Sequence, residues 1–77
     1  MQLHDFISHV FSDNRFTKNR IRILQDRFSR MVVAVPASHR VLKNYVENTL
    51  EEMCRGRLSI QAGVKRLGYV KATLEGM

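Results

Sequence analysis

RFTKNRIRILQDRFSRMVVAVP, residues 15–36, is the stretch on which the fold turns. Ile21, Leu24, Phe28, Met31 or Val32, and Val35 recur at helical spacing, which predicts an amphipathic helix across residues 17–35. Thr17 is placed to cap its start by accepting a backbone N–H bond. The far end reads two ways. Residues 31–35 (MVVAV) are rich in β-branched side chains and bounded by Pro36, which also suits a short strand. Pro36 keeps Val35 out of the helical region in either case.

The flanking sequence is helical on both sides. Leu3, Phe6, Ile7, Val10 and Phe11 follow i, i+3, i+4, i+7, i+8 spacing, and Ser12, Asp13 and Asn14 then break the pattern. Ser38 is expected to begin a third helix with Val41, Leu42, Tyr45, Val46, Leu50 and Met53 as its apolar stripe. Gly56 is placed to end it, because glycine tolerates positive φ. Ser59 is a good N-cap for the last stretch, in which Ile60, Val64 and Leu67 share a face and Val70, Leu74 and Met77 resume one after Gly68. A glycine inside a helix costs about 1 kcal/mol against alanine. The sequence therefore predicts two short helices with a turn at Gly68 rather than one helix carrying both Gly63 and Gly68. The expected fold is all-α, a compact bundle of four or five short helices in one domain over residues 1–77. A short strand near residues 31–35 is the open point.

Charge is the strongest functional signal. Thirteen Lys and Arg stand against seven Asp and Glu in 77 residues, a formal net charge of +6. The excess is clustered. Arg15, Lys18, Arg20, Arg22, Arg27 and Arg30 have only Asp26 among them; Arg55, Arg57, Lys65, Arg66 and Lys71 have only Glu75. Residues 31–54 are slightly acidic, through Glu47, Glu51 and Glu52. Clustered positive charge is the footprint of a phosphate-binding surface, and arginine's forked donors suit phosphate. At helical spacing Lys18 and Arg22 fall on one flank of the apolar stripe, and Arg20 and Arg27 on the other.

Leu67-Gly68-Tyr69, followed after three residues by Thr73-Leu74 and then Met77, resembles the helix-turn-helix of bacterial DNA-binding proteins. The resemblance covers about fifteen residues, 63–77. It departs from the family at Val64, where a small residue is usual, and at Gly63, where an apolar one is. It implies a tight turn at Gly68 and a second helix entering the major groove, with Lys71 reaching a phosphate or a guanine edge and Thr73 a phosphate. Residues 30–36 (RMVVAVP), followed by a helix, a glycine turn and another helix, resemble a ribbon-helix-helix chain. There, two chains pair their strands. Val32, Val33, Ala34 and Val35 would supply such a ribbon with no base-reading group.

Other chemistries find little support. His4, His9 and His39 do not share metal-ligand spacing, and Cys54 has no second cysteine beside it, so no metal is expected. A single cysteine forms no internal disulfide, which suits a reducing, cytoplasmic location. Neither a secretory signal nor an 18-residue apolar run is visible. The basic helix lacks Trp, and its apolar face is needed for the core, which argues against a membrane role. There is no phosphate loop, no Ser-His-Asp pattern and no cofactor motif, so the chain reads as a non-enzyme. The expectation is a small nucleic-acid-binding protein, a transcriptional regulator acting as a homodimer on DNA or RNA. The alternative is a phage-, plasmid- or effector-type protein that inhibits or adapts one protein partner.

Overall fold

Four α-helices carry the described part of the chain: α1 (Leu3–Val10), α2 (Lys18–Met31), α3 (Arg40–Cys54) and α4 (Ile60–Glu75), with a 3-10 turn at Ala37–His39 leading into α3. The computed structural model describes residues 2–31 and 35–76. Helix α3 packs against both α2 and α4, and α1 lies on α4. An edge-to-face contact between Phe6 and Phe28, 5.0 Å between ring centres, ties α1 to α2. The radius of gyration is 11.4 Å, close to the roughly 11.5 Å expected of one compact unit of this length.

The core is a single cluster drawn from every helix. Leu3, Phe6, Ile7 and Val10 meet Ile21, Leu24 and Phe28, then Leu42, Val46, Leu50 and Met53, then Leu67, Val70 and Leu74. Each such side chain contributes about 1.5–3 kcal/mol on full burial. Thr49, the one buried polar residue among those described, donates its hydroxyl proton to the Tyr45 carbonyl oxygen at 2.7 Å. All-α architecture is thus realised, with no strand among the described residues.

Local signals set most boundaries. The Thr17 Oγ1 accepts the Arg20 backbone N–H at 3.2 Å, and the Ser59 Oγ accepts that of Ala62 at 3.1 Å. Gly56 takes φ of 75°, and two bonds close the end of α3: Arg57 N–H to the Glu52 carbonyl (2.9 Å) and Gly56 N–H to that of Met53 (3.2 Å). This 6→1 and 5→2 pairing is a Schellman cap. The turn that follows sends α4 back along α3.

Three expectations are corrected. Helix α3 starts at Arg40, not Ser38, because the chain leaves Pro36 through a 3-10 turn and no side chain caps the helix. Val41, expected on the buried stripe, is 78% exposed. The turn at Gly68 does not form: α4 is continuous through both glycines, and Gly56 is the only described residue with positive φ. Residues 63–75 thus lie within the one helix, Ile60–Glu75. Continuity buries Gly63, Leu67, Val70 and Leu74 on one face, which outweighs the glycine penalty. The possible strand at residues 31–35 falls largely outside the described residues; Met31 ends α2, and Val35 lies in no regular element.

The two α4 glycines differ in surroundings. A Cβ on Gly63 would run into the Met53 side chain, 2.6 Å from its Cγ, whereas a Cβ on Gly68 meets nothing within 4 Å. Gly68→Ala should therefore stabilise the protein by about 0.5–1 kcal/mol through helix propensity. Gly63→Ala should destabilise it by about 1–3 kcal/mol through overpacking. Urea unfolding of both variants checks this, and a loss of stability in Gly68→Ala would restore a turn at that residue.

Candidate nucleic-acid interface

The basic residues part company once folded. Arg20 turns inward. Its Nη1 donates to the carbonyl oxygens of Asp13 (2.9 Å) and Arg15 (3.0 Å), its Nη2 to that of Val10 (2.7 Å), and the guanidinium lies 5.0 Å from the Phe16 ring centre. One side chain thus ties the 11–17 connection to α2. Phe16 itself meets Phe11 edge to face at 6.0 Å. Arg20 thus serves the fold, with its two terminal nitrogens engaged by these carbonyls.

Four further cations lie beside carboxylates: Arg15 with Asp13 (3.4 Å), Arg30 with Asp26 (3.5 Å), Arg55 with Glu51 (2.9 Å) and Arg57 with Glu52 (3.7 Å). All four pairs are largely exposed, and such pairs hold the cation only weakly. Asp13 also accepts the Arg15 backbone N–H at 3.0 Å. That bond, then the Arg15 side chain, holds the Asp13 carboxyl below its ordinary value. The depressed pKa contributes stability above the unfolded carboxyl's pKa, and the contribution is lost as pH falls through the folded one.

Arg27 bonds His9 Nε2 at 3.2 Å, and Lys71 lies 5.3 Å from the Phe11 ring centre. The Thr73 hydroxyl donates to the Tyr69 carbonyl oxygen of its own helix at 2.9 Å. Lys18, Arg22, Lys65 and Arg66 are exposed and form no ion pair among the described residues.

The two-flank reading of α2 holds in space. Arg20 and Arg27 face α1, while Lys18 and Arg22 line a cleft with Asn19, Ile21, Met53, Cys54 and Ile60. The cleft encloses about 380 Å³ where the first turns of α2 and α4 meet the end of α3. Burial pushes the Cys54 thiol pKa up, opposed more weakly by the Arg22 guanidinium, so the thiol is protonated at neutral pH. Further along the α2–α3 seam the lining becomes acidic, with Asp26, Glu47 and Glu51 around a second hollow of about 210 Å³.

A second exposed feature is hard to read from the sequence. Tyr69 is 64% exposed, and its ring meets that of Tyr45 edge to face at 6.3 Å. Val41 lies one turn before Tyr45 on α3. The displacement of Tyr69 from the apolar stripe of α4 is the one local hint of it. Among the described residues no group of His, Cys, Asp and Glu is placed to hold a metal, and no helix is long and apolar enough to cross a membrane. No protein-family model, curated protein or solved structure matches this chain.

Arg20→Ala should cost about 1.5–3 kcal/mol, the range for hydrogen bonds to a charged group, whereas Arg22→Ala should stay within about 0.5 kcal/mol. Denaturant midpoints compare them, and equal midpoints would deny Arg20 its structural role. The Cys54 thiol should alkylate with a pH midpoint above that of a free cysteine, and Arg22→Ala should move it higher still. Iodoacetamide rates measured against pH read both shifts.

Proposed function

We propose that this is a small non-enzymatic, nucleic-acid-binding protein whose phosphate contacts come from Lys18, Arg22, Lys65 and Arg66, with Arg15, Arg27, Arg30, Arg55, Arg57 and Lys71 adding to the field. The observation that carries the reading is the charge left over after folding. Four of the seven carboxylates sit beside an arginine, and the cations of the cleft and of the α4 surface have no such neighbour among the described residues. A polyanion releases counterions on meeting such a surface and needs no base-specific contact to bind. A role in regulating transcription, on DNA or RNA, is consistent with this binding mode.

A second reading rests on Val41, Tyr45 and Tyr69. Tyrosine beside exposed apolar surface is the composition of an interaction anchor, so this face suits a protein partner, a second copy of the chain included. Light scattering after size exclusion, with and without a generic duplex, reports mass and nucleic-acid binding together.

Affinity for a duplex should fall linearly on a log–log salt plot, by roughly 0.9 in slope for each phosphate contact. Arg22→Ala, Lys65→Ala and Arg66→Ala combined should flatten that slope by roughly 2–3 and weaken all sequences alike. Anisotropy titrations between low and moderate salt measure it, and unchanged affinity in the triple variant overturns the reading.

A further inference from the structure

The cleft at the start of α2 is built against its own stability. Lys18 and Arg22 stand one turn apart and carry the same sign, and Lys18 opens α2, where the helix presents its positive pole. The first turn of α2 contains no acid. Helix α4 brings its own start, Ile60, to the same cleft, again with no acid in its first turn. The carboxylates near this end of α3, Glu51 and Glu52, lie beside Arg55 (2.9 Å) and Arg57 (3.7 Å). The like charges and the helix starts repel one another's positive field in the empty protein, and all of them attract an anion that enters.

Shape narrows the anion. The polar wall is Lys18, Asn19 and Arg22; the floor is Met53 and Ile60, with Cys54 between. An internal phosphodiester has chain on both sides and must lie along a groove. Along the α2–α3 seam the second hollow is lined by Gln25, Asp26, Phe28, Ser29, Glu47 and Glu51, with no cation among them. A strand laid along that seam finds no cation there for its next phosphate, whereas a strand end is not asked to take it. A terminal phosphate also carries up to twice the charge of a diester.

The geometry points to a binding site for the terminal phosphate monoester of a nucleic-acid strand, an inference that rests on the nucleic-acid reading above. Arg22 supplies forked donors to two phosphate oxygens, Lys18 a mobile point charge, and Asn19 an amide for the phosphate or the first sugar. The apolar floor receives the face of the terminal sugar or base. No bond is made or broken; the site is one of recognition.

The test compares one single strand with a 5′-phosphate, with a 3′-phosphate and with hydroxyl ends, by anisotropy, on wild type, Lys18→Glu and Arg22→Gln. Wild type should bind one of the phosphorylated strands about tenfold more tightly than the hydroxyl strand, the size of one charge-assisted bond. Both variants should lose that preference. Lys18→Glu should also melt roughly 2–6 °C higher without ligand, since an acid replaces a cation at a helix start; a loss of binding together with a gain in stability is not a folding defect. Inorganic phosphate should slow alkylation of Cys54, the only cysteine, in wild type and not in Lys18→Glu. Equal affinity of wild type for all three strands overturns the terminal-phosphate site and leaves nucleic-acid binding in place. A protein that ignores every strand overturns both, even if inorganic phosphate still shields Cys54.

Discussion

Helix α4 crosses α3 at a residue without a side chain, Gly63. Met53 fills the space that a Cβ would take, and the rest of the hairpin is arranged to deliver that contact. Gly56 reverses the chain at φ of 75°, the Schellman bonds consume the last carbonyls of α3, and Ser59 caps α4 four residues before Gly63. With the approach fixed, Leu67, Val70 and Leu74 fall into register with Leu42, Val46 and Leu50 in one core cluster. The same approach brings Cys54 and Ile60 to one end of the bundle, beside Lys18 and Arg22. The packing contact and the cationic cleft are thus two consequences of one close crossing.

Folding divides the arginines by what their neighbours need. Arg20 satisfies three carbonyls of the 10–15 connection, so its charge serves the fold. Arg22, two residues on and about 200° around the helix, lines the cleft and has no carboxylate beside it among the described residues. A dense basic run is therefore not one binding surface. Its members divide between structural and free roles because a helix spreads consecutive residues around its whole circumference.

Much of this architecture is legible in the sequence. The apolar stripes of α1 and α2, the caps Thr17, Gly56 and Ser59, and the two flanks of α2 all follow from local spacing and chemistry. The continuity of α4 does not, because helix propensity treats Gly63 and Gly68 alike. The difference between them is a long-range contact with Met53, which no local count of glycines contains. Spacing misplaces Val41 for a related reason: it stands one turn from Tyr45, but the helix crossing buries Leu42, Val46 and Thr49 instead. The cleft is hidden from the sequence by the same cause. Spacing pairs Lys18 with Arg22, yet Cys54 and Ile60 reach them only through tertiary packing.

A chain of 77 residues has little stability to give away, since a domain this small buries only about 60–65% of its unfolded surface. Against that margin, a cation at the start of α2, Lys18, costing up to about 1 kcal/mol against the helix dipole at surface exposure, with Arg22 of the same sign one turn on, is a poor arrangement for folding alone. Acids exist in the chain that would serve those positions better, and the structure keeps several of them along the same seam at Asp26, Glu47 and Glu51. Keeping these acids away from Lys18 and Arg22 costs the empty protein attraction it could have had. The cleft's cations gain a counter-charge when an anion enters, and the cation-free lining of the second hollow offers nothing to the phosphates that would follow it along the seam. That arrangement fits a strand terminus more closely than a continuous backbone, and it gives the charge pattern a physical reason that net charge alone does not supply.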